Sequence, residues 1–518
     1  MSDKVDVVIV GAGAVAMVYA ARLAEAGKKV RVLESGPARQ AEDLYSSQIW
    51  ARRLKWATPH VDEFGGPDRI HFNMNAGRGF GGAAIHHYGV WPRLDEDDFR
   101  VHSKFSRARD WPMSYRELQP YYDRVQQFVG MSGDASQEPW RPPGADYPLP
   151  PVPMFHHQKL LARGFAERNI KVSPMPLAVL TQPYNGRPAC IWDGWCDAGC
   201  PIGAIANPLM TYYPRALAGG ARFQADSHVT RVLTDKSGSR ATGVEYVDGN
   251  GQRRTQQAEL VMLAAFTVEN IRILLNSAPN GLANRSDTLG RYLMVHPAVT
   301  LFGLYDEDTQ CHLGATGGHL YSAQPDKSAN ADGVFGAHHW EIGLVLKPND
   351  LLGVAMTRPD IHGPALHDFM KKGSKQMAAM TAICEDQPLP ENRIVLGEQK
   401  DAFGMPQARA VYQVSPDGKA LVQQVQQQGL DIIRASGAEQ AWSGPIAGQH
   451  IMGGTIMGKS ADDSVCDSYG LTHQLGNLVI GGQSTYPTGS HANTTFTIHA
   501  LAERTCDHLV GDWREIIA

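Results

Sequence analysis

Residues 4–36, KVDVVIVGAGAVAMVYAARLAEAGKKVRVLESG, restrict the fold more than any other stretch. An apolar run at 5–10, a glycine turn, a helical pattern over 14–26 stopped by Gly27, and a second apolar run at 30–33 predict strand, turn, helix, strand. Such a βαβ unit implies a parallel sheet. Gly11 serves the tight turn, Gly13 lets backbone approach a pyrophosphate, and Ala16 takes the third small position, where the helix packs on the strand. The helix N-terminus offers partial positive charge to the phosphates. Glu34, at the end of the second strand, supplies a carboxylate for a ribose. The competing reading is a glycine-rich turn in an ordinary α/β domain. A second glycine cluster, GRGFGGAAIHHYGVWPR over 77–93, includes Gly81 and Gly82 and packs backbone against something large and flat. With no second fingerprint in the chain, FAD is favoured over NAD.

The chain has 518 residues, 43% of them hydrophobic, enough for more than one domain. Its formal net charge is −5 and no long run of one sign occurs, so neither nucleic acid nor an anionic membrane is an expected partner. The stretch VVIVGAGAVAMVYAA has the outline of a secretory signal, but Asp6 interrupts it and its glycines serve the nucleotide turn. No uninterrupted apolar run reaches the ~18 residues of a membrane span.

Three of the seven cysteines crowd into CIWDGWCDAGCP, as Cys190, Cys196 and Cys200. A disulfide would strand one thiol. Structural zinc normally takes four protein ligands, for which Asp193 or Asp197 would have to serve, and inert buried thiols rarely bunch in this way. The C-x5-C-x3-C-P run fits a loop wrapped around an iron–sulfur cluster, and three thiolates favour a [3Fe–4S] centre, one corner short of a full cube. Zinc and inert thiols remain as alternatives. Cys311, Cys384, Cys466 and Cys506 are scattered and read as ordinary thiols.

Together with RDWPMSYRELQPYYDR, QPYNGRPAC, GCPIGA, LGRYLMVHP, PENRIV and the stretch from GQHIMGG through SHANTTFTIHALAE, these motifs resemble the glucose–methanol–choline (GMC) oxidoreductases. The likeness is nearest to the catalytic subunits of bacterial FAD-dependent sugar, sugar-acid and polyol dehydrogenases. It implies an α/β chain, α+β overall. A Rossmann-like FAD-binding domain would be built from 1–95, 200–300 and 440–518. A discontinuous substrate-binding domain on an antiparallel sheet would take 96–199 and 301–439, with the cysteine loop at 190–201. Val229, in DSHVTRVL, falls in a flavin-domain strand.

The resemblance places a catalytic base at His450 and its partner at Asn493; His491 and His499, close by in sequence, read as pocket or packing residues, with His491 the alternative to Asn493 if the match is shifted by two positions. Histidine suits proton abstraction near neutral pH, and an asparagine amide can hydrogen-bond the substrate oxygen without competing for the proton. In sugar-oxidising relatives a histidine matching His86 can bond covalently to the flavin; the alternatives are packing beside the ring, or His87 in its place. The implied activity is oxidation of a hydroxyl of a sugar, sugar acid, polyol or glycoside, with electrons leaving through the cluster to a cytochrome c or quinone. The other readings are an oxidase giving hydrogen peroxide, with structural cysteines, and a non-catalytic subunit with a structural flavin. A small signal-bearing subunit would bring the enzyme to the periplasmic face of the inner membrane; a cytoplasmic enzyme is the alternative. Trp91, Trp192, Trp195, Trp340 and Tyr486 are candidates to stack on a sugar face, and GVFGAHHWEIGLVLKPND is expected near the pocket.

Overall fold

The computed structural model describes residues 4–55, 61–65, 71–72 and 76–518, so parts of the predicted first segment lie outside the described residues. The N-terminal unit forms as its pattern requires: strand Val5–Val10, helix Ala14–Glu25, strand Val30–Leu33. The two strands pair in parallel, Val7 opposite Val30 and Val10 opposite Leu33. Only Arg22 and Glu25 of the helix reach the surface, because it lies between this sheet and the C-terminal helix Thr494–Gly511. Its run of alanines and valines permits that close approach, and each buried methylene removes about 0.8 kcal/mol of apolar exposure. Arg22 ties the two helices together through Glu503 and, at 2.7 Å, Asp507.

Seven strands make this first sheet, ordered Arg222–Gln224, Val30–Leu33, Val5–Val10, Arg253–Leu263, Ala241–Val247 and His228–Thr234, with Leu478–Ile480 paired on Arg253–Leu263. The long strand Arg253–Leu263 changes partners along its length. Its first half pairs antiparallel with Ala241–Val247, its second half parallel with Val5–Val10 and Leu478–Ile480.

A second seven-stranded sheet runs His71–Phe72, Gln440–Met452, Met294–Leu304, Met377–Cys384, His338–Ile342, Leu320–Gln324, Ser173–Pro174. All its pairings are antiparallel except the one to His71–Phe72. Helices His156–Glu167 and Pro416–Ala435 cover one face, burying Leu161, Phe165, Leu421 and Ile432 against Leu301 and Met380. Met294–Leu304 and Gln440–Met452 both run in this sheet, so the first sheet regains the C-terminal chain at Leu478, well past the expected start at 440. A three-stranded sheet of Arg393–Lys400, Pro406–Val411 and Val61–Gly65 completes the described strands.

Candidate active site

The two longest strands of the second sheet pair with an irregularity that creates the site's central feature. Met294 faces Met452 and His296 faces Gln449, so Gln440–Met452 carries one extra residue there. The bulge leaves His450 in a left-handed backbone conformation, φ +52°, which a non-glycine residue adopts only where its surroundings enforce it. The consequence is that the His450 ring turns onto His296, with the two Nδ1 atoms 3.0 Å apart. Burial lowers the His450 pKa to about 4, while Glu341 pulls it back in part. Burial, followed by the neighbouring His450, holds His296 well below the ordinary histidine value. Both rings are therefore neutral at neutral pH, and one Nδ1–H donates to the other Nδ1. With Nδ1 committed, Nε2 is the ring nitrogen of His450 left for a group in the cavity beside it.

That cavity has a volume of about 840 Å³ and is lined by His450, Asn493 and Glu341 among others. Asn493 is the N-cap residue of helix Thr494–Gly511. Its amide Nδ2 donates to Glu341 Oε1 at 2.9 Å, whereas its buried Oδ1 has no hydrogen-bond partner among the described residues. Glu341 comes from the middle of the pocket-lining stretch flagged in the sequence, which also contributes Leu344 to Lys347 and Asp350 to the cavity wall. Behind it, His339 Nε2 lies 3.6 Å from Glu341 Oε1, and His491 sits between His339, Nδ1 to Nδ1 at 3.4 Å, and Asp95 at 2.8 Å. His491 is buried in this contact and His499 Nδ1–H donates to the Thr495 carbonyl, 2.7 Å away. Both pack behind the wall; Asn493 is on it.

The same cavity extends over the nucleotide turn, where Gly11, Gly13, Glu34, Gly82, His86 and Val229 line it. Gly11 has φ +92°, and a Cβ there would meet the Ala264 carbonyl at 2.6 Å. A Cβ on Gly82 would lie 2.9 Å from the Gly13 Cα, so the two glycine turns touch and leave their backbone facing the space between them. Such a cradle, opening on the N-terminus of helix Ala14–Glu25, fits a dinucleotide. Gly81 instead packs behind, donating to the Ala12 carbonyl at 2.8 Å, and Ala16 is wholly buried in the helix–sheet contact. Glu34 accepts N–H groups from Ala12, Gly36 and Gly79 at 2.8 to 2.9 Å, so its carboxylate also ties the two turns together. His86 and His87 both border the cavity, but His87 is held at Ala206 and Gly89 and its pKa is depressed to about 4 by burial.

The cysteine loop lies against this wall. Cys190 accepts the Trp192 N–H and Cys196 the Thr316 N–H, each at 3.4 Å, and backbone N–H groups at Ile205, Ala204 and Gly203 favour the thiolate of Cys200. Lys347 Nζ donates to the Gly194 carbonyl at 2.9 Å and lies 3.7 Å from Asp197. Asp197, Thr316 and Lys347 all line the cavity. Burial pushes all three thiols above the ordinary range. Among the described residues no three or more His, Cys, Asp or Glu side chains form a ready-made metal-binding group.

The aromatic candidates do not line the cavity: Trp91, Trp340 and Tyr486 are buried in the cores, and Trp192 and Trp195 belong to the cysteine loop. Tyr88, Phe266 and Phe302 supply the aromatic lining instead. Sequence reading missed His296, although it stands in the quoted LGRYLMVHP, and missed Glu341 as a partner of Asn493.

Comparison with known proteins agrees with this architecture. The GMC oxidoreductase family matches residues 5–298 with its N-terminal part and 388–502 with its C-terminal part. The fructose dehydrogenase large subunit of Gluconobacter japonicus is 29% identical, over 98% of this chain and 98% of its own. The 2-methyl-1,2-propanediol dehydrogenase of Mycolicibacterium austroafricanum is 30% identical, over 100% of this chain and 97% of its own. The solved structure of Aspergillus oryzae formate oxidase shares the fold, with a TM-score of 0.69 and 12% identity over the whole of both chains.

Proposed function

This chain belongs to the GMC oxidoreductases, a family of FAD enzymes acting on CH–OH donors, and we propose that it is a dehydrogenase rather than an oxidase. Its substrate is a hydroxyl of a sugar, sugar acid, polyol or glycoside, and its electrons leave through a [3Fe–4S] cluster to a cytochrome or quinone. The observation that carries this reading is that one cavity has His450 and Asn493 on its wall together with Asp197 and Thr316, which belong to or hold the cysteine loop.

When bound, FAD supplies the acceptor for the hydride that leaves the carbinol carbon. Gly11, Gly13 and the helix N-terminus at Ala14 would hold the pyrophosphate, Glu34 and Val229 the adenosine end, and His86 the ring system. His450 takes the hydroxyl proton on Nε2, because its Nδ1 is engaged with His296. Its depressed pKa keeps it in the base form throughout the neutral range. Asn493 donates the second N–H of its amide to the substrate oxygen and fixes the hydroxyl toward His450. Cys190, Cys196 and Cys200 would hold the cluster, which would supply a one-electron outlet, and the N–H groups directed at those sulfurs would stabilise its charge. A small subunit bearing an export signal would bring the enzyme to the periplasmic face of the inner membrane. No helix among the described residues is long and apolar enough to cross one.

The test is turnover of a panel of sugars, polyols and glycosides with an artificial one-electron acceptor and, separately, with dioxygen. The reading expects turnover with the former to exceed that with dioxygen at least tenfold, and it fails if dioxygen is the better acceptor. A second reading, a peroxide-forming oxidase with structural cysteines, has one observation in its favour: burial holds all three thiols protonated in the chain by itself.

A further inference from the structure

Asn493 presents an unusual combination of atoms to the cavity. One N–H of its Nδ2 goes to the Glu341 carboxylate at 2.9 Å and the other is left for the oxygen being oxidised; the first fixes the rotation of the amide, since a carboxylate accepts from N–H and repels a carbonyl oxygen. The carbonyl Oδ1 is thereby the atom left over. It is buried, with the whole residue only 8% exposed, and has no donor among the described residues, so it is an acceptor that a ligand hydroxyl would satisfy. Glu341, 5% exposed, lines the same wall and adds a second acceptor. The hydroxyl being oxidised cannot satisfy Oδ1, because its one proton goes to His450.

We propose that Glu341 is a positioning residue that locks Asn493 carbonyl-first, so that the pair reads a second O–H group on the carbon next to the one oxidised. The preferred substrate is then a vicinal diol or polyol, and a monohydric alcohol of the same skeleton leaves Oδ1 without a partner. The balance of the reaction is unchanged: two electrons and one hydrogen leave the carbinol carbon as hydride, the hydroxyl proton goes to His450, and the neighbouring hydroxyl is only hydrogen-bonded. This inference rests on the proposed roles of His450 and Asn493 and deepens them.

The experiment is anaerobic reduction of the bound flavin in the holoenzyme, followed at its visible absorption. The probes are 1,2-propanediol against 1-propanol, and reducing sugars against their monodeoxy analogues. The inference expects the probe with the adjacent hydroxyl to be favoured about tenfold or more in kcat/KM. In Glu341→Gln, whose amide no longer dictates the orientation of Asn493, the preference should fall to within about threefold at equal flavin content, and Glu341→Asp should restore part of it. A wild-type ratio near one, or a ratio that Glu341→Gln leaves intact, overturns the inference while leaving the site standing. If none of the probes reduces the flavin, or if His450→Ala reduces it as fast as the wild type, the reading of the site itself is overturned, and the inference with it.

Discussion

His296 and His450, 154 residues apart in the chain, face each other Nδ1 to Nδ1 at 3.0 Å across neighbouring antiparallel strands. The contact exists because one extra residue in Gln440–Met452 turns His450 out of the regular ladder. For His450 Nε2 to act as a base, its proton must sit on Nδ1 and be donated to His296, so the second histidine sets the tautomer of the first.

Removing either member should therefore have different effects. His450→Ala is expected to slow flavin reduction by roughly 10²–10⁴-fold, the usual contribution of a general base. His296→Phe, which keeps a ring in the space but offers no acceptor, should slow it by about tenfold with little change in KM. Stopped-flow reduction at saturating substrate checks both.

Acid should destabilise the protein within a defined window. His450, His87, His157, His319 and His499 are buried and depressed to about 4, so between pH 6.5 and 4 the unfolded chain binds protons that the folded chain does not. Stability contributed by these groups is fully present above pH 6.5 and is lost as pH falls, by up to about 1.4 kcal/mol per pH unit for each histidine. Denaturant unfolding across pH 4 to 8 should show a steepening loss below 6.5. A flat profile over that range would contradict their burial as neutral rings.

Glu34→Ala should weaken both the fold and the hold on flavin. It leaves the N–H groups of Ala12, Gly36 and Gly79 without their acceptor, at about 1–3 kcal/mol for each that water cannot reach. Gly11→Ala should be as damaging, because its φ of +92° and the Ala264 carbonyl 2.6 Å from the added Cβ both oppose a side chain. Flavin retained after gel filtration, together with thermal unfolding, measures the two effects.

Serine at Cys190, Cys196 or Cys200 should each abolish iron binding while the flavin remains and anaerobic substrate still reduces it. Serine at Cys384 or Cys506, buried elsewhere in the cores, should leave any iron in place. Iron analysis of the five variants separates a cluster loop from ordinary thiols.

The parts of this site that a local pattern encodes were legible in the sequence. Strand, glycine turn, helix and Glu34 lie within one short stretch, and hydrophobic period and turn chemistry specify them directly. The C-terminal motif pointed to His450 and Asn493, and the structure puts both on one cavity wall. What the sequence could not display is contact created by sheet register. His296 reaches His450 through a strand pairing whose alignment depends on a bulge, and His339 and Glu341 reach His491 and Asn493, in the loop and N-cap before the last long helix, each across about 150 positions. The tryptophans illustrate the opposite limit: composition marks Trp91 and Trp340 as possible sugar platforms, but nothing local reveals that both are sealed in cores.

The central claim is that reducing equivalents enter at the flavin and depart through a metal centre on three thiolates. Its most direct test is the content of iron and acid-labile sulfide per flavin in protein purified without oxygen. The account predicts about three irons and four sulfides for each flavin, lost together in Cys196→Ser. Flavin-replete, catalytically active protein that carries no iron would contradict it.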